Sequence, residues 1–162
     1  MKPSDKVPES ALKWVYVANF RFQGQSALTL DAKGRITVPA RQRDVLLAEA
    51  GPQLTITKGT GGCLFVFPRP VWNTFRDKLM DLPMKADGWK RVFMGSAMDV
   101  DIDASSRVLI SPELRAAAGL TKDVVLIGMG SRLELWNAAA YAEQEAKVLE
   151  SEMPDALEDF TG

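Results

Sequence analysis

The chain carries one pattern twice, and this duplication limits its possible folds more than any other feature. "LTLDAKGRITVPARQR" (residues 28–43) aligns with "VDIDASSRVLISPELR" (residues 100–115), setting Asp31 over Asp103, Arg35 over Arg107 and Arg43 over Arg115. Further on, "CLFVFPRPVWNTF" aligns with "RLELWNAAAYAEQ", setting Phe67 over Trp136 and Trp72 over Tyr141. The register changes by three residues between the two matches, a gap that a loop absorbs. A tandem unit of about half the 162 residues is too small to bury its own strands well, so two units are expected to share one core.

Each unit follows the order β–β–α–β–β–α. "SALTLD" and "AMDVDID" alternate apolar and polar residues, as strands with one buried face do. "DAKG" and "DASS" are turn formers, and the β-branched "RITV" and "RVLI" read as second strands. Pro39 and Pro112 stand near the start of short helices, "PARQRDVLLAEA" and "SPELRAAAGL", which Gly51-Pro52 and Gly119 close. "QLTITKG" with "CLFVF", and "DVVLIGMG" with "RLELW", form hairpins. "RPVWNTFRDKLM" and "NAAAYAEQEAKVLESEM" are the closing helices. Pseudo-two-fold pairing of the units would bring "DAKGR" and "DASSR" to one face.

Composition narrows the chemistry. The chain has no histidine and one cysteine, Cys63, so neither a Ser-His-Asp or Cys-His site nor a histidine-containing zinc site can be built. The lone cysteine rules out an intramolecular disulfide framework and fits a reducing cytosol. "ALKWVYVANF" is apolar but lacks a small-residue cleavage site, and no run approaches membrane-spanning length. A cytoplasmic protein with no membrane partner is expected. Residues 1–21 read as an N-terminal extension, whose first ten residues have the polar, proline-containing make-up of a disordered leader. The net charge of −1 hides an asymmetry. Lys13, Arg21, Lys33, Arg35, Arg41 and Arg43 face only Asp31, whereas seven acidic residues from Glu143 onward face only Lys147. Local field, not net charge, decides where an anion docks.

The Asp-x-x-x-Arg turn has two readings. Asp31 and Arg35 can form a structural ion pair, with Asp31 also accepting backbone N–H groups. The turn can also grip DNA. Lys33 and Gly34 sit at its tip, Gly34 permits close backbone approach, and the Arg35 fork suits phosphate or the guanine edge. Arg41 and Arg43 continue the charge along the helix. Other features read as structural. "KGTGGC" lacks the Walker spacing, Asp99, Asp101 and Asp103 fit an edge or solvated strand face, and Trp72, Phe75, Trp136 and Tyr141 fit a core or subunit interface. No catalytic or metal-ligating set can be assembled, so neither an enzyme nor a cofactor is expected.

On "FQGQSALTLDAKGRITVPARQRDVLL" and "AMDVDIDASSRVLISPELRAAAGL", the chain resembles the MraZ family of bacterial transcriptional regulators, built from two SpoVT/AbrB-type units. The resemblance covers about residues 22–149, with units at 22–84 and 94–150 and an acidic tail at 151–162. It implies an α+β, mainly β fold, in which tandem swapped-hairpin units form one pseudo-two-fold barrel with short helices. It also implies a homo-oligomeric ring, associated with the nucleoid. Such a ring binds direct repeats in double-stranded DNA upstream of the cell-division and cell-wall gene cluster, including the protein's own operon. The DNA-facing set is then Lys33, Gly34, Arg35, Arg41, Arg43 and Arg107, with Asp31 and Asp103 shaping the turns. The second turn has Ser105-Ser106 in place of the lysine and glycine, so weaker contact is expected there, mainly from Arg107. The alternative is an AbrB-fold protein-interaction module of the antitoxin kind.

Overall fold

A computed structural model describes residues 20–161, so the expectations for residues 1–19 lie outside the described residues. The first unit comprises β1 (Gln25–Thr29), β2 (Arg35–Thr37), α1 (Ala40–Glu49), β3 (Gln53–Lys58), β4 (Leu64–Pro68) and α2 (Arg69–Met80). A 3-10 turn (Met84–Ala86) and α3 (Asp87–Gly95) lead into β5 (Met98–Asp101), β6 (Arg107–Leu109), α4 (Pro112–Ala117), β7 (Asp123–Met129), β8 (Arg132–Asn137), α5 (Ala138–Glu150) and α6 (Asp155–Thr161). The repeated order is present in both units. The differences are helical. α3 lies outside the matched repeat, where Trp89, Val92 and Phe93 give a helical apolar stripe, and α6 forms in the segment expected only as an acidic tail.

The strands exchange between units. One antiparallel sheet runs β1-β7-β8-β4-β3-β5, and β2 pairs with β6 in a separate ribbon. First-unit β1 therefore pairs with second-unit β7, and second-unit β5 pairs with first-unit β3. The registers repeat about the pseudo-axis: Leu64 faces Leu135 and Val66 faces Leu133, while Ile36 faces Val108 at the centre of the ribbon. Pairing of β1 with β5 is not among the contacts of the described residues, so the sheet keeps two hydrogen-bonding edges.

Burial follows from this exchange. Ile36, Val38, Val108 and Ile110 from the ribbon strands and their flanks meet Leu54, Ile56, Val66, Leu126 and Leu133 from the sheet around a residual gap of about 10 Å³. On the first unit's outer side, Phe67 packs against Trp72 and Phe75, and Phe93 of α3 reaches Phe65 and Phe75. The second unit is covered less fully. Tyr141 of α5 meets Trp136 edge-on at 5.4 Å, yet α5 and α6 have no buried residue. The four aromatic residues singled out in the sequence thus serve packing. Asp99 lies on edge strand β5, accepting a hydrogen bond from Thr55 and facing Arg69 at 3.6 Å.

The shared core is expected to make the halves unfold as one cooperative unit. Leu135 is fully buried and faces both Leu64 of the first unit and Leu126 of its own. Leu135→Ala is expected to cost about 2–5 kcal/mol. Urea titration followed by tryptophan fluorescence and by circular dichroism should show one shifted transition. Two separated transitions would contradict a shared core.

Candidate nucleic-acid interface

Each turn is organised by its aspartate. Asp31 Oδ1 accepts the backbone N–H of Lys33 at 2.9 Å and of Arg35 at 2.8 Å, and its Oδ2 accepts Arg35 Nε at 2.9 Å. The backbone closes with Gly34 N–H donating to the Asp31 carbonyl, and Asp31 N–H to that of Arg35. The second turn copies this through Asp103 Oδ1, which accepts from Ser105 at 2.8 Å and Arg107 at 2.9 Å. Its ion pair is looser. Arg107 Nε stands 3.6 Å from Asp103 Oδ2 and is buried without a hydrogen bond. Gly34 has φ +84°, and Ser106 adopts +64°, a conformation that disfavours L side chains.

The backbone N–H of Arg35 is the main cause that holds the Asp31 carboxyl below its ordinary value of 3.8. The N–H of Arg107 does the same for Asp103, which also feels Arg35 across the ribbon. Because both folded-state values are depressed, the carboxylates stabilise the turns at neutral pH. That contribution disappears as pH falls below 3.8 through the folded-state values.

The ion pair and the ligand-facing role are compatible. Asp31 engages Arg35 through Nε, and the two terminal nitrogens have no protein hydrogen-bond acceptor among the described residues. Lys33 is exposed at the tip. Ile36 and Val108 point into the core, so by strand alternation Arg35, Thr37, Arg107 and Leu109 form the outward face of the ribbon. The major groove of B-DNA is wide enough to admit a two-stranded ribbon.

The helix arginines cross between units. Arg43 of α1 donates through Nη1 to Ser106 Oγ in the second turn at 2.9 Å and also meets Asp44. Arg115 of α4 donates to the Ile110 carbonyl and lies over Gly34 of the first turn. A Cβ at Gly34 would stand 2.7 Å from the Arg115 guanidinium carbon. The space above Gly34 is therefore occupied by Arg115, where the sequence suggested room for a ligand. Arg115 stood in the repeat alignment over Arg43 but was not among the expected site residues; only the strand exchange shows which turn it reaches. Arg41 takes another course, donating to the Gln23 carbonyl at 3.1 Å next to Gly24, and is not brought to either turn.

The turns and ribbon thus gather Lys33, Arg35, Arg43, Arg107 and Arg115 against Asp31, Asp44 and Asp103. Cys63 lies elsewhere, buried in the β3–β4 hairpin, where desolvation above all pushes its thiol up to about 12. It is no nucleophile there.

Fold and site define a duplicated α+β protein whose halves exchange strands and jointly present two Asp-Arg turns. The family model "MraZ protein, putative antitoxin-like" matches residues 21–90 and again 93–160. The chain belongs to the MraZ family. A protein of Leptothrix cholodnii named Transcriptional regulator MraZ is 66% identical over 145 residues, covering 90% of this chain and 99% of that relative. Relatives of the same name from Methylibium petroleiphilum and Polaromonas are each 61% identical, covering 90% and 86% of this chain and 99% of their own lengths. The solution structure of PHS018 from Pyrococcus horikoshii overlaps loosely, with a TM-score of 0.32 at 16% identity over 70% of this chain and 87% of that one, and no conclusion rests on it.

Gly34→Ala is expected to destabilise the protein by about 1–3 kcal/mol through the positive φ alone, with the Arg115 collision added. Arg115→Ala removes the collision and leaves the φ strain. A double-mutant cycle by urea unfolding should therefore give a coupling of roughly 0.5–3 kcal/mol. Additive losses would mean that Arg115 does not occupy this position.

Proposed function

We propose that this chain is a sequence-specific, DNA-binding transcriptional regulator. It acts on direct repeats upstream of the cell-division and cell-wall gene cluster, its own operon included, as a closed homo-oligomer in the nucleoid. The observation that carries the reading is the pair of Asp-Arg turns on one ribbon, with Arg35 held at Nε by Asp31 and its terminal nitrogens left for a ligand, and Arg107 set more loosely beside Asp103. The name shared by the relatives supports regulation of transcription. The family resemblance supplies the repeats and the gene cluster. The antitoxin alternative has less support, because a full second turn stands where a protein-binding tail would follow.

Arg35→Ala is expected to weaken binding to duplex DNA from upstream of the protein's own gene by about 1–3 kcal/mol per engaged protomer. Arg107→Ala should cost less, since its turn lacks Lys33 and holds its arginine loosely. Fluorescence anisotropy across a salt series reads both, with log K falling at about −0.9 per phosphate neutralised. Equal losses, or no salt dependence, would defeat this account.

Assembly has its own support. Residues 138–161 carry exposed Val148, Leu149, Met153, Leu157 and Phe160 among seven acidic side chains and one basic one. The α2–α3 layer exposes Met80, Leu82, Met84 and Trp89, and the same stretch of chain carries Arg76, Lys78, Lys85, Lys90 and Arg91 against Asp77, Asp81 and Asp87, a net positive charge. These layers are complementary in charge and both apolar, which favours head-to-tail contact between copies. Phe160→Asp is expected to lower the mass seen by light scattering, leave circular dichroism unchanged and reduce affinity by roughly 10²–10⁴-fold through lost avidity. A folded variant with unchanged mass would refute this interface.

A further inference from the structure

Leu109 stands out on the ribbon. It is 51% exposed on a face otherwise made of Arg35, Thr37 and Arg107. A single exposed leucine is ordinary on a protein surface, so exposure alone says nothing. Its position is what matters.

The hydrogen bonds Ile110 N–H to Gly34 O and Val38 N–H to Ser106 O mark 34/110 and 38/106 as hydrogen-bonded positions. By alternation, Arg35/Leu109 and Thr37/Arg107 are the non-hydrogen-bonded pairs, in which facing side chains come closest. Leu109 is thus the cross-strand neighbour of Arg35 on the outward face. The equivalent position in the other half of the repeat is Thr37, so the two ends of the ribbon differ: arginine with leucine at one, arginine with threonine at the other.

The chemistry of base edges gives such a pair a meaning. Arginine takes the O6 and N7 acceptors of guanine in the major groove, and the apolar feature displayed there is the C5-methyl of thymine. A leucine that cannot hydrogen-bond would leave a cytosine amino group or an adenine edge without a partner, and it loses nothing against a methyl.

We propose that Leu109 is a specificity-determining residue that reads the C5-methyl group of a thymine adjacent to the base engaged by Arg35. The proposal rests on the DNA-binding reading above and adds to it a base identity, an atom and a residue.

The test replaces the methyl without disturbing base pairing. A duplex enriched by the wild-type protein from a random-sequence pool is remade with each thymine in turn exchanged for deoxyuridine. Loss of one buried methyl contact is expected to weaken wild-type binding about fourfold at one position. Leu109→Ala should bind the thymine duplex about as weakly as the wild type binds the uracil duplex, and should not distinguish the two. Leu109→Met, of similar volume, should retain the distinction. Thr37→Ala should leave the penalty at that position in place.

A thymine-to-uracil penalty that survives in Leu109→Ala overturns the proposal, as does the absence of any penalty in the wild type. A loss of oligomer mass in Leu109→Ala would assign the residue to contact between copies and also overturns it. If the wild-type protein enriches no duplex at all, the DNA-binding reading itself falls and takes this inference with it.

Discussion

The exchange of strands between the halves is the constraint on which the structure depends. Among the described residues β1 pairs only with β7, and β5 only with β3, so each half pairs its inner hairpin alone but leaves its first strand to the other half. The same exchange places β2 beside β6, and that contact makes the ribbon. Inside the ribbon Ile36 and Val108 close the core, and outside it the arginines are displayed. Core and candidate interface are two faces of six residues, so the placement of the arginines is as firm as the hydrophobic packing beneath them.

Within that frame the aspartates do local work. A carboxylate that accepts two backbone N–H groups and one Nε defines the turn and the first part of the arginine side chain together. A preset side chain has less entropy to lose when a ligand is engaged. The second turn is organised by the same backbone bonds but holds Arg107 less closely. The difference traces to no missing backbone contact; Ser106 keeps the positive φ that Gly34 adopts freely, with Arg43 bonded to its hydroxyl.

Much of this was legible in the residues because duplication prints every structural signal twice. The strands, the turns, α1, α2, α4 and most of α5 follow from periodicity and from the proline and glycine positions. α5 stops at Glu150, short of the expected Met153. α3 is not read from the sequence because "DGWKRVFMG" has no counterpart in the matched repeat and carries the weak helix former Gly88 at its second position, although Trp89 and Phe93 at i and i+4 signal it. The site was legible in its aspartates and arginines, since Asp-x-x-x-Arg is a local pattern. The positions of Arg43, Arg115 and Arg41 were not, because their partners lie in the other unit or, for Arg41, in the segment before β1. Distance along the chain carries no information about such contacts.

The unequal ends of the ribbon have one more consequence. A dimer of identical halves looks the same when turned about its axis and can sit on a duplex either way round. Here one end carries Lys33, Gly34, Arg35 and Leu109, and the other Ser105, Ser106, Arg107 and Thr37. Fusing the halves into one chain let them diverge, and the molecule thereby acquired a front and a back. A row of such molecules, all facing the same way, would distinguish upstream from downstream.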